Sequence, residues 1–290
     1  MERPRSTNLE PYAQIYAAIF KSKAGESLRN TYRWSDFRTD ETDEKWYDAL
    51  GETAEDFSHG WLMYQYGIDF LSREKGRFTK SQEKTFLLGL VVHDWGEVII
   101  DGVDSVGDIK ADLKTIDEEK KESIIARLVI ESLDLPQNIK DSLVRAYEQV
   151  VEGQDPELHK YFKALEKSEY VFTAMRVFND GEWNRQIGRA GIKNEEPFVG
   201  RVLIFDLAKV LDVHAPDYPD SIGAYIYEKA DLIDQMFAHA LPWLTQNKEW
   251  NEKPVDHKAL AESFKAKWEN FKNSDEFKNR RFGSTSFGDI

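Results

Sequence analysis

Apolar residues recur along this chain at three- and four-residue spacing, the interval that lines one face of an α-helix. Tyr12, Ile15, Tyr16 and Phe20 make a first such stripe. Residues 56–72 make a second, with His59, Leu62, Met63, Tyr66 and Phe70 on one face. Residues 81–100 are predicted as a helix opening at Ser81-Gln82-Glu83-Lys84, with Ser81 as its N-cap. Its run Phe86-Leu87-Leu88-Gly89-Leu90-Val91-Val92 is apolar nearly all round, the mark of a central, buried helix. Residues 118–133, 138–150, 158–177 and 198–213 read as further amphipathic helices, and residues 260–271 as the last. Between them, residues 222–243 read as a helix pair or one long helix. No stretch alternates with a period of two between hairpin turns, and no repeat recurs at solenoid spacing. The predicted fold class is all-α.

The gaps in the pattern suggest the organisation. Residues 33–53 are polar and acid-rich, as in a long loop, and residues 101–117, with Gly102 and Gly107, predict a loop beside the central helix. Asp180-Gly181, Gly188, Gly191 and Glu195-Glu196-Pro197 make residues 179–197 the expected boundary. That reading gives a core over residues 1–190 and a C-terminal helical extension over residues 191–290, packed on the core. The Gly-, Ser- and Arg-rich residues 279–290 are expected to fray.

Composition narrows the function classes. The 290 residues carry 39 Lys and Arg against 53 Asp and Glu, a net charge of −14. That balance works against non-specific binding to duplex nucleic acid or an anionic membrane, where attraction to phosphate supplies most of the affinity. There is no cysteine, which excludes disulfides, thiolate zinc sites and cysteine nucleophiles. With 8 Trp, 12 Tyr and 17 Phe, the chain has the large apolar side chains a real core needs. Neither a secretory h-region nor a membrane span is visible, so a cytoplasmic location is expected.

The candidate chemistry sits at the end of the central helix. Glu97 follows His93 by four residues and Asp94 by three, so one α-helical face could present all three. Burying an imidazole and two carboxylates is costly unless something compensates, and a divalent cation would. Imidazole nitrogen with carboxylate oxygen is a borderline donor set that suits Mn, Fe, Co, Ni or Zn. His59 on the preceding helix and Glu166 in Lys163-Ala164-Leu165-Glu166-Lys167 extend the series over separate helices.

From roughly residue 27 to residue 180 the sequence resembles the HD-domain metal-dependent phosphohydrolases, most closely their 5'-deoxynucleotidase-like branch. His59 in Glu55-Asp56-Phe57-Ser58-His59 matches the family's first ligand histidine, and His93-Asp94 its paired ligands. Glu97 in His93-Asp94-Trp95-Gly96-Glu97 matches the catalytic glutamate. Gly107-Asp108 with Lys114, and Arg33-Trp34 ahead of His59, match its substrate-holding elements. The family's last metal ligand is an aspartate, and Glu166 stands at the matching position.

The resemblance implies one divalent metal ion (Mn, Co, Ni, Fe, Zn or Mg) held by His59, His93, Asp94 and Glu166, with Glu97 as acid or base. It implies that Arg33 and Lys114 neutralise phosphate, that Trp34 stacks on a base or sugar, and that Asp108 bonds a sugar hydroxyl. Only His159 lies between the His-Asp pair and Glu166, which favours one metal over two. The implied activity is hydrolysis of a nucleotide, first of all a 5'-monophosphate. A triphosphate, a diester, or a degenerate module that binds without turnover are the alternatives. The implied partner is a small nucleotide, and since helical members of the family often pair, a homodimer is allowed.

Overall fold

The computed structural model describes residues 10–31, 55–99, 115–192, 195–246 and 256–275. Among them every regular element is helical, so the fold is all-α. None of these helices is long and apolar enough to cross a membrane. The chain divides into two compact units: Met1–Asp69 with Gly76–Lys163, and Phe70–Lys75 with Ala164–Ile290. The sequence places its boundary later, within residues 179–197. No turn interrupts the chain there until Gln186, because one helix, Pro156–Gln186, continues through Asp180-Gly181.

The first unit contains α1 (Glu10–Phe20), α2 (Lys23–Leu28), most of α3 (Asp56–Arg73), and α4 (Lys80–Val92). A 3-10 turn over His93–Glu97, α5 (Ile116–Ser132), α6 (Gln137–Ala146) and the start of α7 (Pro156–Gln186) complete it. Polar side chains define the helix starts. Thr79 caps α4 in a reciprocal box with Gln82, so the helix starts ahead of the predicted Ser81. Thr115 and Glu118 form the same device at α5, two residues earlier than the periodicity alone suggests. Phe86, Leu88, Gly89, Leu90, Val91 and Val92 of α4 are all buried, as expected of a central helix.

Around α4 the core gathers Ile15 and Ile19 from α1, Leu28 from α2, Phe57 and Tyr64 from α3, Ile125 and Val129 from α5, and Leu143 from α6. Two glycines let α3 lie close against α4. A Cβ on Gly60 would stand 3.0 Å from the Val91 carbonyl oxygen, and one on Gly67 would stand 2.3 Å from the Leu90 side chain. A π-helical turn, Tyr147–Val151, follows α6, with Glu152 N–H donating to the Tyr147 carbonyl at 3.0 Å.

The second unit contains the rest of α7, then α8 (Glu195–Arg201), α9 (Ala224–Glu228), α10 (Ala230–Leu244) and α11 (His257–Lys272). Residues 222–243 therefore form a helix pair, one of the two predicted forms. π-helical turns at Val202–Leu207 and Val210–His214 replace much of the single helix expected over residues 198–213, and a third, Pro219–Gly223, precedes α9. Its core includes Phe198, Leu203, Ile233, Met236, Phe264 and Trp268. Glu195 is buried at 3 % exposure and accepts from both terminal nitrogens of Arg185, at 2.8 and 3.0 Å, with His239 Nε2 at 3.2 Å. That carboxylate stands where a Cβ on Gly181 would be.

Candidate metal centre

His59 reaches the centre from the first turns of α3, and His93 and Asp94 from the 3-10 turn that follows α4. All three belong to the first unit. Both imidazoles are buried, His59 completely and His93 at 7 % exposure, with ring centroids 5.0 Å apart at 67°. Asp94 Oδ2 lies 3.2 Å from His93 Nε2 and 3.7 Å from His59 Nε2. One ligand atom from each of the three fits within 4.8 Å of the others, a grouping that could hold a metal ion.

These distances can be tested against the demands of a cation. Metal bonds of about 2.0–2.2 Å at tetrahedral or octahedral angles place neighbouring ligand atoms roughly 3.0–3.5 Å apart. The observed 3.2 and 3.7 Å lie at or just beyond that interval. The tautomer agrees as well. His93 Nδ1 lies 2.7 Å from the Leu90 carbonyl oxygen, which can only accept, so Nδ1 carries a proton. Nε2 is then the nitrogen turned to Asp94, and it faces a carboxylate oxygen. A lone pair facing a carboxylate in a buried place calls for positive charge between them, from a proton or a metal ion. The donor set fits the divalent metal that the sequence implies.

The turn carrying His93 and Asp94 is held from several sides. Trp95 packs into the core of the unit. The backbone N–H of Ile99 donates to Ser27 Oγ of α2 at 2.9 Å. Phe162, itself buried, meets the His93 ring edge-to-face with centroids 5.5 Å apart, which limits how the imidazole can swing. Helix α5 packs directly on the turn. A Cβ on Gly96 would lie 2.7 Å from the Glu122 carbonyl oxygen, a backbone atom with little room to retreat. Gly96→Ala is therefore expected to destabilise the protein by about 1–3 kcal/mol through overpacking. A urea melt checks this, and an unchanged midpoint would refute the close approach.

The geometry revises one expectation. The α-helix ends at Val92, and residues 93–97 turn with three residues per turn instead of 3.6. Glu97 thus shares a face with Asp94, three residues back, and is turned roughly 120° from His93. The Leu90 carbonyl, which the next α-helical N–H would have used, is engaged by the His93 ring. Glu97 itself is partly buried.

Glu166 lies on α7 in the second unit, partly buried, and is not a member of the three-residue group. Its neighbour one turn on, Glu169, is fully buried and accepts from Thr173 Oγ1 at 2.5 Å. Arg33, Trp34, Asp108 and Lys114 lie outside the described residues. His159 is outside the group, and its Nδ1 lies 2.8 Å from the Val150 carbonyl. Sequence reasoning passed over Asp56, a carboxylate at 3 % exposure one turn ahead of His59 in the first turn of α3. Its signal was an acid at i−3 from a histidine on an apolar face. It also passed over Phe162, whose signal was only its place in an apolar stripe.

No protein-family model matches the chain, and no curated protein and no solved structure is significantly similar to it.

Proposed function

We propose that the protein is a metal-dependent phosphohydrolase of the HD-domain type, acting on nucleotides and removing phosphate from 5'-monophosphates. The observation that carries the reading is the convergence of His59, His93 and Asp94 at ligand spacing. The motif resemblance supplies the reaction class, and from the sequence alone it adds Glu166 as a fourth ligand.

A divalent ion bound there would supply Lewis acidity and a bound water of lowered pKa. The chain's own residues do the rest. The Leu90 carbonyl fixes the His93 tautomer and keeps Nε2 directed into the centre. The apolar walls around the two imidazoles exclude bulk water, while Asp94, with 15 % of its side chain exposed, is the member open to solvent. Glu97 shares that face and is assigned the proton: it takes one from the attacking water or gives one to the leaving oxygen. Arg33 and Lys114 are assigned the phosphate charge, and Trp34 and Asp108 the nucleoside, all four on the motif match.

The test is phosphate release from nucleoside mono-, di- and triphosphates by metal-stripped protein, with Mn²⁺, Co²⁺, Ni²⁺, Mg²⁺ or Zn²⁺ added back. Release from monophosphates that depends on added metal is the expected result. Glu97→Ala is expected to lower the rate by about 10²–10⁴-fold with metal occupancy nearly unchanged. Full activity in that variant would remove Glu97 from the mechanism. A second reading is a module that binds a nucleotide without turnover. It is motivated by Glu166, a glutamate at the position where the family has its last aspartate ligand. Stoichiometric metal and nucleotide binding with no product from any of these substrates would favour it.

A further inference from the structure

Among the described residues of the second unit, away from the candidate metal centre, three cations act on one carboxylate, against the net −14 of the chain. Lys167 Nζ lies 2.5 Å from Asp206 Oδ1 and 4.7 Å from the Tyr170 ring centroid. The π-helical turn Val202–Leu207 begins just after Arg201. Its i→i+5 pattern brings Arg201 and Asp206 to the same side, where a regular α-helix would separate them. The Arg201 guanidinium lies 6.0 Å from the ring centroid of Phe205, an exposed aromatic. Lys209, one turn beyond Asp206, adds a third cation whose charge reaches the same carboxylate. π-turns recur at binding sites because they shift side chains out of the ordinary helical register.

We propose that Lys167, Arg201 and Lys209 form an anion site that takes a phosphate-bearing small molecule, with Asp206 as the internal counter-ion when the ligand is absent. Three cations act on one carboxylate at this cluster, and an Arg fork beside two lysines is a set that suits phosphate oxygens. Burial pulls the Arg201 guanidinium down from its ordinary pKa, with Asp206 opposing the shift. Burial also pushes the Asp206 carboxyl up, against the pull of Lys167, Arg201 and Lys209. Both charges are therefore held at a desolvation cost, and an arriving phosphate would offset the part borne by the cations. The same carboxylate repels that phosphate, so removing its charge should strengthen binding. A plain structural ion pair makes the opposite prediction for Asp206→Asn, namely loss of stability with no recovery on adding anion.

The site does not depend on the metal reading, and the experiment keeps the two apart. Thermal unfolding of metal-stripped full-length protein is followed with inorganic pyrophosphate, against sodium chloride at matched ionic strength. At saturating pyrophosphate a rise of roughly 5 °C is expected in the wild type. Asp206→Asn should tighten the pyrophosphate dissociation constant by roughly tenfold. His93→Ala should leave the rise unchanged, and Lys167→Gln with Arg201→Gln should remove it. If that double variant does not fold, Lys209→Gln, on an exposed side chain, should weaken binding several-fold. No rise in either wild type or Asp206→Asn would overturn the proposal. So would a rise that survives in the folded double variant, an unchanged constant in Lys209→Gln, or a rise lost in His93→Ala.

Discussion

His93→Ala is expected to lower metal-dependent phosphate release by roughly 10³-fold or more, since a bound cation contributes several kcal/mol to the transition state at about 1.36 kcal/mol per decade. The variant removes one of the three candidate ligand atoms and the ring whose Nδ1 engages the Leu90 carbonyl. Metal affinity should fall with activity, while the circular dichroism of the helices persists. His159→Ala is the matched control. That imidazole also bonds a backbone carbonyl, at Val150, but lies outside the ligand group, so release should continue. Equal loss in both variants would mean that the first unit had been loosened generally, and the assignment of His93 would fail.

Phe86→Ala is expected to cost about 3–5 kcal/mol of stability, the range for truncating a fully buried aromatic. Phe86 has no exposed surface, stacks 6.5 Å from Phe78 at 6°, and lies 5.0 Å from Tyr161. It is one turn before Leu90 on the helix that ends at Val92, so the cavity would open beside the Leu90 carbonyl that holds the His93 ring. Metal binding should weaken in the same variant. Phe86→Leu, which keeps most of the volume, should recover much of both. A chemical melt and a metal titration on the two variants check this, and a loss under 1 kcal/mol would show that the ring is not packed as described.

The helices were legible because their apolar stripes are long and their polar faces unambiguous, as at residues 12–20 and 56–72. Helix starts were less so. Ser81 reads as a cap by residue type, yet Thr79 wins because Gln82 stands three residues on and closes the reciprocal bonds. Asp180-Gly181 carries a turn signal that tertiary structure overrides: Glu195, held by Arg185, fills the space beside Gly181 and the helix continues. The π-turns at residues 202–207 and 210–214 leave no mark in a pattern read at 3.6 residues per turn. Within the centre, the motif match pointed to His59, His93, Asp94 and Glu166, and the first three are the ones grouped at ligand spacing. The switch to a 3-10 turn at His93 was not legible. It depends on where the His93 ring finds its acceptor and on how closely α5 lies against Gly96, both properties of the assembled unit.

Metal stoichiometry tests the central claim most directly. The full chain, stripped with chelator and titrated with Co²⁺ or Mn²⁺, should bind one ion per chain, with imidazole scattering in its X-ray absorption spectrum. His59→Ala and His93→Ala, shown to be folded, should each bind far more weakly. If the folded wild type takes up no ion under any of these conditions, the facing of His93 Nε2 and Asp94 Oδ2 is a protonated ion pair, and the account of a metal centre is wrong.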